Sequence, residues 1–118
     1  MTYQIKNKIQ NPHFENVFDI SPQEVLENAP QLTLIDVREV TEYTAELGHI
    51  ENSTLIILHS LPEKLNSIPT DKPVVFVCRS GGRSAQASSF ANHQGMKNTY
   101  NMQGGMLAWN QLQFPIKK

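Results

Sequence analysis

Two apolar runs constrain the fold more than anything else in this 118-residue chain. Leu32-Thr33-Leu34-Ile35-Asp36-Val37 and Pro73-Val74-Val75-Phe76-Val77 are nearly continuous, with no regular alternation of apolar and polar residues. A strand with one wet face alternates. A continuous run expects cover on both faces, as in a parallel sheet sandwiched between helices. The segments around these runs fit that arrangement. Phe18-Asp19-Ile20 reads as a brief strand, followed by a helix start at Ser21-Pro22-Gln23-Glu24. There Ser21 is the cap, Pro22 occupies the first helical position and Glu24 completes a capping box. That helix ends before Pro30. Thr41 to Leu47 reads as helical and stops at Gly48, Thr54 to Leu58 as a strand, and Pro62 to Asn66 as a short helical turn. Residues 83–94 form the strongest helical pattern, with Ala87, Phe90 and Ala91 on one face and Gly95 as terminator. Asn98 to Met102 is a last strand, and Gly104-Gly105 turns into a helix through Trp109. The alternation predicts an α/β fold with a mainly parallel sheet and helices on both faces. Residues 1–17 are polar and weakly patterned, an arm ahead of a single domain over 18–118.

Charge is unevenly spread. The formal net charge is -1, which argues against a nucleic-acid partner. Residues 1–59 nevertheless hold three basic and nine acidic side chains, and residues 60–118 hold seven basic and two acidic. Beyond Asp71 there is no carboxylate side chain at all. A half of that sign predicts that an anion is handled there. Cys78 is the only cysteine, so an internal disulfide framework and a zinc site needing two thiolates are both excluded. The four histidines lack metal-ligand spacing, and no metal or cofactor is expected. No apolar run reaches the roughly 18 residues of a membrane span, and the N-terminal residues lack a signal-peptide core. The expectation is a cytoplasmic protein without a membrane partner.

The chemistry concentrates in Val77-Cys78-Arg79-Ser80-Gly81-Gly82-Arg83-Ser84. Cys78 leaves a buried strand and enters a loop that opens a helix, at the sheet end where such folds bind ligands. Gly81 and Gly82 permit the backbone conformations that turn successive N–H groups inward. The loop and helix N–H groups then form a donor-rich cradle, and Arg79 and Arg83 add positive charge. Arg83 can also grip an oxyanion with two parallel hydrogen bonds. These surroundings favour the thiolate of Cys78, a nucleophile prepared for an anionic or electron-rich substrate. The competing reading is a buried structural thiol; the two arginines, two glycines and strand–loop–helix setting weigh against it.

In five places the sequence resembles the rhodanese (sulfurtransferase) family in its single-domain form. These are Leu34-Ile35-Asp36-Val37-Arg38-Glu39, Glu42-Tyr43, Gly48-His49-Ile50, Cys78-Arg79-Ser80-Gly81-Gly82-Arg83-Ser84 and Gly104-Gly105-Met106-Leu107-Ala108-Trp109. Glu51-Asn52-Ser53 departs from the Pro-Gly-Ala common in the family, in a structural turn. The resemblance implies a rhodanese-like fold with a five-stranded, mainly parallel sheet. It implies that Cys78 takes a sulfane sulfur from thiosulfate or a polysulfide and passes it, as a persulfide, to a thiophilic acceptor. It also implies that Arg38 binds the anionic substrate; the loop residues Arg79, Ser80, Gly81, Gly82 and Arg83 are expected to bind it too, with Arg79 facing either substrate or solvent. An ion pair of Arg38 with Asp36 or Glu39 is the alternative.

Loop length separates this chemistry from its neighbours. Cys78 to Arg83 is Cys-x4-Arg, whereas tyrosine phosphatases and the phosphatases that resemble rhodaneses use Cys-x5-Arg, a wider ring suited to phosphate. Phosphatase or arsenate reductase activity is therefore disfavoured. A persulfide carrier serving one partner protein is the other alternative. With no second thiol in the chain, any sulfur on Cys78 must leave to an outside acceptor: cyanide, a small thiol or a protein.

Overall fold

The computed structural model describes residues 3–118. Its organising element is the apolar run that precedes the cysteine. Val74–Val77 forms strand β5, buried along its whole length. Val75 and Val77 enter one core cluster, and Val74 and Phe76 enter another on the opposite face. This is the period-two alternation of a strand covered on both sides. Each fully buried side chain of this kind contributes roughly 1.5–3 kcal/mol relative to exposure.

The other elements are β1 (Ile9–Gln10), β2 (Phe18–Ile20), α1 (Pro22–Asn28), β3 (Thr33–Asp36), α2 (Val40–Tyr43), β4 (Thr54–Leu55), α3 (Leu61–Lys64), α4 (Gly82–His93), β6 (Thr99–Met102) and α5 (Gly105–Gln111). The sheet order is β1-β2-β6-β5-β3-β4. Neighbours from β2 to β4 are parallel, and β1 pairs antiparallel with β2. One core cluster sits under α1 and α5 with Val25, Met106 and Trp109; the other sits under α3 and α4 with Leu61, Ala87 and Ala91. Helices thus cover both faces, as the apolar runs require.

Five local outcomes differ from the sequence expectation. The five parallel strands gain a sixth from the arm, because Ile9 and Gln10 pair with Phe18 and Asp19 of β2. The arm is bound to the domain at further points: Asn11 and Val17 are buried, and Asn16 hydrogen-bonds Ser89. The helix expected over Thr41 to Leu47 is the single turn α2, and the strand expected over Thr54 to Leu58 is two residues long. The capping box at α1 forms only by half. Ser21 Oγ accepts from the Glu24 N–H at 3.1 Å, but the Glu24 carboxylate accepts from Tyr3 and Asn7 instead. A reciprocal capping box stands at Glu39 and Glu42, at the start of α2. Finally, the buried side of α4 includes Ser84 and Ser88 as well as the expected alanines. Small hydroxyls are tolerated there because each finds a partner; Ser88 Oγ donates to Thr99 Oγ1 at 3.2 Å.

Candidate active site

Cys78 follows the last residue of β5, and α4 begins four residues later at Gly82. The thiol is 1 % exposed. Gly81 lies between the two elements with φ +107°, a conformation that L side chains rarely adopt. That turn aims the Gly81 N–H at Cys78 Sγ, 3.0 Å away. Ser84, one turn into α4, places its hydroxyl 3.1 Å from the same sulfur. The loop carbonyls are held from the other side. The Met106 N–H donates to Cys78 O at 2.8 Å and the Leu107 N–H to Arg79 O at 2.9 Å. The first turn of α5 therefore fixes which way the loop peptides point. Gly105 makes this contact feasible: an added Cβ would lie 2.5 Å from Cys78 O and 2.6 Å from Arg79 C and O.

Arg83 faces Glu42. Its Nη1 and Nη2 donate to Glu42 Oε1 and Oε2 at 2.7 and 2.8 Å, a bidentate pair that is about one-third exposed. Glu42 Oε1 also accepts from the Glu39 N–H, so the capping box of α2 orients the carboxylate that orients Arg83. Arg83 first, and then the Glu39 N–H and the charges of Arg83 and Arg38, pull the Glu42 carboxyl down from its ordinary 4.5 to about 2, against a smaller opposing effect of burial. The Arg83 guanidinium is raised in turn by Glu42, and further by the charges of Cys78 and Asp36. A carboxyl depressed in the folded state stabilises the protein above its unfolded pKa, and that stability is lost as pH falls through the folded value. Glu42→Gln is accordingly expected to cost about 1 kcal/mol at pH 7, the pair being partly exposed. The difference from wild type should shrink from about pH 4.5 and vanish near pH 2, as read by urea unfolding at several pH values. A pH-independent difference would contradict the assignment.

Arg38, expected either to meet the anionic substrate or to pair with Asp36 or Glu39, is 1 % exposed and its guanidinium is committed to the protein. Nε and Nη2 donate to the two Asp36 oxygens at 2.9 and 2.8 Å, Nη2 also to Gly48 O at 2.7 Å, and Nη1 to Glu42 O at 3.3 Å. The ion pair with Asp36 is what forms, and it ties the end of β3 to α2 and to the Gly48 turn. The reason is positional: Asp36 is fully buried at the end of β3, and a buried carboxylate needs its charge partner. Arg79, Ser80 and Gly82 are exposed at the loop rim. Arg79 borders a cleft of about 360 Å³ with Arg38, Glu42, Ala45, Glu46 and Leu47. The structure thus brings Cys78 and Gly81 together, with Arg83 near them, and sets Arg38 and Arg79 on one cleft.

Sequence reasoning gave no role to Ser84, Glu42 or Gly105. The signals were present: a hydroxyl one helical turn beyond the cysteine loop, a glutamate three residues after another at a helix start, and a paired glycine marking close backbone approach. His49 Nδ1–H donates to Tyr43 O at 2.8 Å and its ring stacks on Tyr43 at 3.7 Å, a structural placement. Among the described residues no His, Cys, Asp and Glu group could hold a metal ion, and no helix is long and apolar enough to cross a membrane.

Comparison with known proteins agrees with this geometry. The family described as "Rhodanese-like domain" matches residues 21–112. The YtwF protein of Bacillus subtilis is 44% identical over 87 residues, covering 74% of this chain and 82% of that protein. Thiosulfate sulfurtransferase GlpE of Pseudomonas entomophila is 32% identical over 91 residues, covering 76% of this chain and 82% of that one. The crystal structure of a rhodanese-related protein from Thermoplasma volcanium superposes with TM-score 0.76 at 33% identity, over 82% of this chain and 94% of that one. A single cysteine in a donor-lined loop between a buried parallel strand and a helix, matched over most of the chain, makes this protein a member of the rhodanese-like sulfurtransferase family.

Proposed function

We propose that the protein transfers a sulfane sulfur from thiosulfate or a polysulfide to a thiophilic acceptor through a persulfide on Cys78. The observation that carries this reading is the Gly81 N–H aimed at Cys78 Sγ, with the Ser84 hydroxyl beside the same sulfur, in a loop of Cys-x4-Arg. In the first step the Cys78 thiolate attacks the outer sulfur of thiosulfate. A new S–S bond forms, the S–S bond of thiosulfate breaks, and its electron pair leaves with sulfite. The terminal sulfur of the persulfide now carries the negative charge, and the loop N–H groups and the nearby Arg83 stabilise it. In the second step cyanide or a thiolate bonds to that terminal sulfur, and the electrons of the Cys78 S–S bond return to Sγ.

Arg79, Ser80 and Gly82, at the exposed rim, are the groups we assign to meeting the incoming anion. Arg38 braces α2, and with it the Glu42 carboxylate that orients Arg83. The buried position of the sulfur favours small acceptors over a broad protein surface. A thiosulfate:cyanide assay tests the reading. Repeated thiocyanate release per chain supports it. Transfer confined to a protein acceptor would favour a persulfide carrier, and transfer to neither would overturn both. Hydrolysis of an aryl phosphate at a comparable rate would defeat the argument from loop length.

A further inference from the structure

Behind the loop a buried hydrogen-bond chain runs away from the nucleophile. Ser84 Oγ contacts Cys78 Sγ at 3.1 Å and also makes a short hydrogen bond to Asn101 Oδ1. Asn101 Nδ2 donates to Asp19 Oδ1 at 2.9 Å, and Asn11 Nδ2 donates to the same oxygen at 2.9 Å. Ser84, Asn101 and Asp19 are all buried, and Asp19 and Asn101 face each other across the β2–β6 pairing. The orientation of the amide is not free. A carboxylate accepts only, so Asp19 draws the Asn101 NH2 toward itself and turns the carbonyl oxygen toward Ser84.

Ser84 has one hydroxyl hydrogen and two neighbours that want it. When Cys78 is a thiol, its S–H points to Ser84 Oγ, Ser84 O–H to Asn101, and Asn101 N–H to Asp19, so every group is satisfied. When Cys78 is a thiolate, it needs the Ser84 hydrogen, and taking it leaves Asn101 Oδ1 unpaired in a buried site. In the persulfide the inner sulfur is neutral and makes no such demand. We propose that Asn101, locked by Asp19, is a positioning residue that withholds the Ser84 hydrogen from Cys78. It thereby disfavours the bare thiolate and prolongs the life of the persulfide, whose discharge must regenerate that thiolate. This rests on Cys78 being the sulfur-bearing nucleophile proposed above.

The test uses the whole chain and two readouts. Iodoacetamide alkylation of Cys78, followed across pH, needs no sulfur donor. Persulfide discharge to cyanide is followed after loading with thiosulfate. Asp19→Leu removes the oxygen to which Asn11 Nδ2 and Asn101 Nδ2 both donate, so the Asn101 amide can turn over and present N–H to Ser84, freeing the hydroxyl for the sulfur. It is expected to speed alkylation near neutral pH about fivefold, the worth of one ordinary hydrogen bond, by moving the pH profile to lower pH. Discharge should accelerate by a similar factor. The charged groups on the elements around the thiol are Arg79, Arg83, Asp36, Arg38, Glu42 and Asp19 itself, so loss of the Asp19 charge alone would act in the same direction. Two variants separate the causes. Asn101→Leu removes the acceptor without changing charge and should reproduce the gain. In a Ser84→Ala background, Asp19→Leu should keep only the part of its effect that comes from the lost charge. The inference is overturned if folded Asn101→Leu, checked by circular dichroism, alkylates like wild type, or if the full Asp19→Leu effect survives loss of Ser84. Altered alkylation with no sulfur loading would instead leave the relay standing and remove the sulfurtransferase reading.

Discussion

Cys78→Ser is expected to lower thiocyanate release from thiosulfate and cyanide by about a thousandfold or more, because the group that bears the sulfur is gone. The serine hydroxyl fits the same space and keeps both neighbours, since the Gly81 N–H and Ser84 Oγ can pair with oxygen as they do with sulfur. Stability should therefore stay within about 1.5 kcal/mol of wild type. Thermal unfolding measured beside the assay separates loss of chemistry from loss of fold. A serine variant that releases thiocyanate at a tenth of the wild-type rate would remove Cys78 from the reaction.

The second large effect lies outside the cysteine loop. Gly105→Ala would place a methyl group 2.5 Å from Cys78 O at a φ of +58°. The obstacle is backbone on both sides, so no side chain can swing away. Either α5 retreats or the loop peptides rotate, and in both cases the bonds from Met106 N to Cys78 O and from Leu107 N to Arg79 O are lost. Overpacking and the left-handed conformation together should cost about 3 kcal/mol, a fall in Tm of about 15 °C. Activity in the fraction still folded should fall as well, since rotated peptides no longer aim N–H groups at the sulfur. Gly82→Ala is the control. An added Cβ there meets nothing within 4 Å, and the residue is helical, so the variant should be stabilised by about 0.5 kcal/mol. Equal Tm values for the two alanine variants would contradict the role given to α5.

The two continuous apolar runs carried most of the fold, because burial on both faces leaves a mark on every residue of a strand. The cysteine loop was equally legible, since its glycines and arginines are contiguous and each has a local physical reason. What the sequence concealed depends on pairing at long range. Asp19 and Asn101 are 82 residues apart and meet only through the parallel register of β2 and β6. Strand β1 is two residues long, too short for any period, and it forms because β2 offers a free edge. Arg38 was left between two readings for a related reason. The residues around it offer a charge pair with Asp36 or Glu39, but do not show that Gly48 O and Glu42 O take up further donors and bury the guanidinium. The burial of Ser84 and Ser88 becomes clear only when Asn101 and Thr99 are placed beside them.

The central claim is that Cys78 accepts and then surrenders one sulfur atom. The most direct test is the intact mass of the wild-type chain after thiosulfate or polysulfide treatment, and again after cyanide. Because Cys78 is the only cysteine, the account predicts a gain of one sulfur atom, mapped to the peptide containing Cys78 and fully removed by cyanide. A mass that is unchanged with every sulfane donor, or an adduct that cyanide does not remove, would contradict it.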